Sequence, residues 1–312
     1  MPSIKTAPKW VYLVFLIGIG TITVRALLDS RFGNSALLYI ATPFAISFLI
    51  FQFSDRPKIT SPLIGFLSHL RDATIIMLGS SAFLFEGFIC VLFFMPIYYL
   101  FITLGYLVSL MFRKADKAKG EGRMRGSVLS LIILVAALEG TAPSTSFERQ
   151  NSVTRTAIFE ADIATLQANL ARPVELPSQR QWFLSIFPLP VESQTGSLEP
   201  GDIHTLHFIY KRWFFTNVKE GDFRLRIDSV SDEEVRTSVI GNSSYLATYL
   251  DLQGTHITFD ALPDGRTEVS LTITYQRLLD PAWYFGPLQR HAIEQSADYF
   301  FASVFSRGIP YE

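Results

Sequence analysis

Residues 266–281, RTEVSLTITYQRLLDP, alternate apolar and polar side chains, and the chain then changes to WYFGPLQRHAIEQSADYFFASVF, apolar at helical spacing. In the first stretch Val269, Leu271, Ile273 and Tyr275 share one face of a strand, and Glu268, Ser270, Thr272, Thr274 and Gln276 share the other. The strand before it repeats the pattern, with Ile257 and Phe259 on one side and His256, Thr258 and Asp260 on the other. Pro263-Asp264-Gly265 between them predicts a hairpin, Pro fixing φ and Gly permitting positive φ. Further strands are predicted at 152–161, 203–215, 223–230 and 234–241, with a short helix over 162–172 for which Asp162 is the N-cap candidate. Residues 173–193 carry four prolines and are predicted to be irregular, with a turn of helix at most. A sheet with one wet face must cover its dry face. The closing helix supplies the cover: Ile293, Ala297, Phe300, Phe301 and Val304 recur at helical spacing, Asp280 suits the cap, and Pro281 suits the first helical position.

The first half follows another rule, with apolar runs at 10–28, 35–53, 73–112 and 126–142. A bilayer core of roughly 30 Å needs about 20 helical residues. As one helix, residues 73–112 would measure about 60 Å, so they are predicted as two spans, 73–92 and 94–112, with the turn at Pro96 or Glu86-Gly87. Run 10–28 lacks a small-residue cleavage site and reads as a retained helix. Five spans result. Loop 113–125, RKADKAKGEGRMR, carries six basic residues and is predicted to be cytoplasmic, as is 54–71. The side occupied by the C-terminal half then turns on the short run 126–142. If that run crosses, the half lies outside the cytoplasm, which is the expectation here; if not, it lies inside.

Charge divides the chain at the same place. Residues 1–143 hold 13 Lys+Arg against 7 Asp+Glu, and residues 144–312 hold 14 against 21. The acidic half has no basic run, which argues against nucleic-acid binding. A mean hydropathy of +0.27 is high for a wholly water-soluble chain. The single cysteine, Cys90, excludes an intrachain disulfide, so the C-terminal half must hold together by its core.

The order of strand, short helices, antiparallel meander and long C-terminal helix over 152–307 resembles the helix-grip fold of the START-related (SRPBCC, polyketide cyclase-like) superfamily. The resemblance rests on the Gly-Asp of EPGDIHTL (199–206), the strand TEVSLTITYQRL and the terminal helix. It implies a curved antiparallel sheet closed by that helix over an apolar cavity, and hence a hydrophobic small molecule or lipid as ligand. It carries over no catalytic residue, because the superfamily has no shared catalytic motif, and no cofactor is implied. The expected architecture is therefore a helical membrane region, 1–143, fused to an α+β helix-grip domain. Candidate cavity residues are Leu271, Ile273, Tyr275, Ile257, Phe259 and Phe300, with His207, Tyr210, Arg224 and Tyr249 as polar or aromatic contributors. Tyr275 keeps a second reading as an ordinary core tyrosine with a bonded hydroxyl.

Other signals are thinner. Glu86, inside an apolar run, is either an intramembrane ion site or marks a turn near the interface. HTLH (204–207) has metal-like spacing, but on a strand positions three apart face opposite sides, so no metal site is expected. The WFF cluster at 213–215 is core or a patch that meets the bilayer surface. Three functions fit: membrane-anchored binding of an apolar ligand, an interaction domain with a filled interior, or a cyclase- or dehydratase-type enzyme using a cavity Tyr, His or Arg.

Overall fold

The structure, a computed structural model, describes residues 34–53, 61–83, 88–115, 121–174, 182–195, 197–213 and 216–312. The chain divides into two compact units, Met1–Phe147 with Leu279–Pro281, and Glu148–Leu278 with Ala282–Glu312.

The described part of the first unit is helical. A π-helical turn, Leu37–Ala41, leads into α1 (Thr42–Phe53), followed by α2 (Pro62–Phe83), α3 (Phe88–Ala115) and α4 (Glu121–Ala136). Among the described residues one helical stretch, Val91–Arg113, is long and apolar enough to cross a bilayer, while Leu37–Phe53 and Gly126–Ala136 are apolar but shorter. Among the described residues that is one candidate span, against five expected over the whole first half. Span 94–112 falls within that stretch. Expected span 73–92 begins inside α2, which starts at Pro62 and carries the adjacent Arg71–Asp72 ion pair, and its residues 84–87 lie outside the described residues. Pro96 makes no turn and lies inside α3. Span 10–28 and Glu86 lie outside the described residues.

Polar groups hold these helices together from within. Ser47 has one hydroxyl proton, which it donates to Ile102 O at 2.7 Å, so it accepts from His69 Nε2 at 2.8 Å. That fixes the histidine tautomer on the Nε2 side and ties α1, α2 and α3 together. Tyr98 donates to Ala73 O at 2.7 Å, and the Thr74 and Tyr99 hydroxyls meet at 2.7 Å. A Cβ on Gly105 would sit 2.6 Å from Ser47 Cβ, so glycine is what lets α1 and α3 approach there. The outward faces are apolar: Leu63, Leu67 and Ile75 on α2 and Leu131, Ile132 and Val135 on α4 are all more than half exposed.

The second unit is a seven-stranded antiparallel sheet in the order β1-β7-β6-β5-β4-β3-β2. The strands are β1 (Gln150–Phe159), β2 (Leu189–Gln194), β3 (Ile203–Trp213), β4 (Thr216–Val230), β5 (Glu234–Asn242), β6 (Leu250–Ala261) and β7 (Thr267–Arg277). Strand β2 was not expected from its prolines. It is an edge strand with a register shift between Pro190 and Glu192, a position where a residue without an N–H is tolerated. Two short helices, α5 (Ile163–Leu170) and α6 (Trp182–Ser185), follow β1, and Asp162 caps α5 by accepting from Thr165 N at 2.9 Å. In the β6–β7 hairpin, Gly265 has φ +86° and donates to Leu262 O at 3.0 Å.

The closing helix, α7 (Ala282–Phe300), runs on as a π-helical segment, Phe301–Ser306. It starts at Ala282 after a cis Asp280–Pro281 bond, so Pro281 and not Asp280 flanks its first residue. Among the strands it lies closest to β1 and β7. Ile293, Ala297, Phe301, Val304 and Phe305 bury themselves against Phe159, Ile257, Phe259, Val269 and Leu271. This sheet and helix fit the helix-grip arrangement.

Replacing Gly105 with Val is expected to force α1 from α3 and lower stability by about 1–3 kcal/mol. Thermal unfolding of the detergent-purified protein measures this, and an unchanged melting temperature would refute the close crossing.

Candidate functional site

Strand pairing extends the dry face from β1 across the sheet. Val153 faces Ile273, Ile273 faces Thr255, Thr255 faces Thr237, and Thr237 faces Ile227. Paired residues share a face, and alternation carries that face on to Leu225 and Phe223 of β4 and their β3 partners His204 and Leu206. The two ends of this face differ. Under α7 the apolar side chains are sealed, whereas Leu206, Phe208, Phe223, Leu225 and Val239 remain half-buried. The apolar floor is therefore wider than the helix that covers it.

One glycine of the helix has open space beside it. Gly286 lies seven residues, two turns, before Ile293 and so on the sheet-facing line. A Cβ built there would meet no atom within 4 Å. No positive φ requires glycine at this position, and glycine in a helix costs roughly 0.5–1 kcal/mol relative to alanine. Steric need does not explain the residue, but an open space does.

An aromatic wall bounds one side. A 3-10 turn, Tyr245–Thr248, follows β5 and brings Tyr245 over Tyr210, the rings stacked at 4.4 Å and 12°. Gly221 permits this approach, because a Cβ there would run into the Ser243 carbonyl. The Tyr245 and Tyr249 hydroxyls meet at 2.8 Å, and Lys219 Nζ sits 5.4 Å from the centre of the Tyr245 ring. From α7, Gln289 Nε2 donates to Tyr249 O at 3.0 Å. Phe183 of α6 meets the His291 ring edge-on at 4.9 Å.

The residues singled out from sequence fall into three groups. Leu271, Ile273, Tyr275, Ile257 and Phe259 are packed into the sealed core, with Phe300 partly buried at its margin, 5.7 Å from the Phe305 ring. Burial raises the Tyr275 pKa and keeps its hydroxyl protonated. Tyr210 and Tyr249 belong to the aromatic wall. His207 and Arg224 face the other way: His207 pairs across strands with Asp222, and Arg224 with Thr205, on the outer face. His207 Nδ1 lies 2.8 Å from the Asp222 carboxylate, whose hydrogen bond raises the histidine pKa. Glu234, also outward, is lowered to about 2, mainly by Arg236 and then by His256. The His207–Asp222 and His256–Glu234 pairs are thus on the wet face, while His291–Glu294, at 4.0 Å, lies on α7. Of the WFF cluster only the Trp213 backbone is described. Among the described residues no three His, Cys, Asp or Glu converge as a metal site.

No protein-family model and no curated protein matches the sequence. Solved structures resemble half of it. Ara h 8.0201 is 11% identical with a TM-score of 0.33, covering 50% of this chain and 95% of its own. A START superfamily protein from Mycobacterium smegmatis is 11% identical at 0.32, covering 50% and 95%. The Zhui aromatase/cyclase from a Streptomyces species is 12% identical at 0.31, covering 50% and 92%.

Sequence reasoning passed over Leu206, Phe208, Tyr245, Gly286 and Gln289. Parity along 203–213 would have put Leu206, Phe208 and Tyr210 on one face. Nothing local signals that Gly286 faces open space.

His207 is expected to titrate above the usual value of about 6.5, and Asp222→Asn to return it there, as read by NMR. Because its folded pKa is raised, any stability it contributes is full below pH 6.5 and fades as pH rises through the folded value. A His207 pKa unmoved by Asp222→Asn would remove the pair as the cause.

Proposed function

We propose that this protein is a membrane-anchored binding module that holds a hydrophobic small molecule or lipid between its sheet and its C-terminal helix. The observation that carries the reading is the half-buried apolar row of Leu206, Phe208, Phe223 and Leu225, which α7 does not seal, and the open space at Gly286 supports it. Apolar burial at about 25 cal/mol per Å² drives such binding, and the stacked tyrosines offer a flat wall to it. That wall favours binding over acid–base chemistry, since the His207–Asp222 and His256–Glu234 pairs are on the opposite face of the sheet.

The first unit supports the anchoring part of this proposal. Leucine and isoleucine cover its outward helix faces while Ser47 and His69 are buried inside, the arrangement lipid favours. The Val91–Arg113 stretch supplies a crossing of about 35 Å. We propose further that the chain from the short apolar stretch Gly126–Ala136 onward completes a second crossing; with basic loop 113–125 in the cytoplasm, the sheet domain would then lie outside it.

Two experiments test this. The full chain purified in detergent should carry an apolar molecule detectable by native mass spectrometry. Gly286→Phe should lower its occupancy about tenfold or more without lowering the melting temperature. Undiminished occupancy in the variant, or nothing bound across several lipid backgrounds, would defeat the binding reading. A reporter fused after Glu312 should signal from the extracytoplasmic side; a cytoplasmic signal reverses the topology and leaves the fold untouched.

A further inference from the structure

Of the histidines on the described strands, His207 and His256 lie on the wet face, and His204 stands on the dry one. Leu225 faces it directly from β4, and next along the same face come Leu206 and its partner Phe223, so His204 belongs to the half-buried apolar row itself. The Gly-Asp pair of EPGDIHTL builds the loop beside it. Gly201, at φ +99°, donates to Ile227 O at 2.8 Å, and Ile227 N donates to Asp202 O at 2.9 Å, which ties the loop to β4. The Asp202 carboxylate accepts from the Ser197 hydroxyl and, at 3.3 Å, from Glu199 N. Leu198 packs against the buried core, so this turn closes on the dry side of the sheet. It thereby presents Ser197 O to His204 Nε2, 3.1 Å away.

That contact decides what the imidazole offers. A carbonyl only accepts, so Nε2 carries the proton, and in the neutral ring Nδ1 is left as an acceptor. Among the described residues nothing donates to Nδ1. The ring is half-buried rather than sealed, and Nδ1 is not one of the buried side-chain atoms left without a partner, so water reaches it.

We infer that the ligand of this row carries a hydroxyl group, and that His204 Nδ1 accepts its proton while the apolar body lies on Leu206, Phe223 and Leu225. This rests on the binding reading above and narrows it, from any apolar molecule to an amphipathic alcohol or phenol. An apolar body laid over the row displaces the water at Nδ1. A hydroxyl on the ligand restores the lost bond, whereas a matched ligand without a donor leaves the acceptor bare. His204 is then a specificity-determining residue, and the Gly201-Asp202 loop fixes the tautomer that makes it an acceptor.

The probes are 1-dodecanol and dodecyl methyl ether, which share a chain and differ in the donor. Full-length protein in detergent is equilibrated with both, and native mass spectrometry reads the alcohol-to-ether occupancy ratio. Comparing wild type with variants cancels the unequal partitioning of the probes. His204→Leu removes the acceptor, and the ratio is expected to fall about fivefold. His204→Asn keeps an acceptor oxygen close to the position of Nδ1 and should hold the wild-type ratio, which a purely packing role would not predict. A second readout needs no variant to fold. In wild type carrying nitrogen-labelled histidine, the alcohol should move the His204 Nδ1 resonance upfield and the ether should not. An unchanged ratio in the Leu variant, loss of the ratio in both variants, or an Nδ1 resonance indifferent to the alcohol overturns the inference and leaves apolar binding standing. If neither probe binds the wild type, the failure belongs to the binding reading and takes this inference with it.

Discussion

The second unit depends on β7 being paired on both sides. It joins β6 through a tight hairpin and β1 through a partner more than a hundred residues earlier in the chain, Val153 opposite Ile273. With both edges satisfied, β7 has no freedom of register, and a one-residue slip would turn Val269, Leu271, Ile273 and Tyr275 to water. The buried row this pairing creates is the surface on which α7 rests. Each large side chain sealed there contributes about 1.5–3 kcal/mol of burial, so the row and helix stabilise one another strongly. Without that row, α7 would have nothing to cover.

The same constraint explains why the candidate site lies off the core's centre. Because α7 follows β7 directly, it is drawn over β7 and β1. The meander meanwhile continues outward through β5, β4 and β3, and its dry face continues with it. Leu206, Phe223 and Leu225 are left half-covered for that reason. Close backbone approach does the rest: Gly221 admits the segment that delivers Tyr245, and Tyr245 stacks on Tyr210. The first unit uses the same device for another purpose, Gly105 letting α1 close on α3 around Ser47 and His69.

Local pattern and tertiary arrangement contributed differently to each feature. The alternation of β6 and β7, the Asp162 cap and the Pro-Asp-Gly hairpin were legible because each is decided within a few residues. The amphipathic closing helix was legible for the same reason. Strand β2 was hidden by its prolines, since an edge position and a register shift, both tertiary facts, are what make them tolerable. At 73–92 hydropathy marked the apolar composition but not the start of the helix, which packing sets, and α2 begins upstream at Pro62.

By itself, then, the sequence determined which faces of the strands are dry, that a C-terminal helix must cover them, and that an apolar, basic half precedes an acidic one. These follow from periodicity and charge, properties of neighbouring residues. Only the tertiary structure decided that His207 and Arg224 point away from Tyr210, that Tyr275 is sealed in the core, and that Gly286 borders open space. Those facts depend on which strand pairs with which and on where one helix stops covering the sheet, and such distances between residues far apart in the chain leave no mark on local pattern.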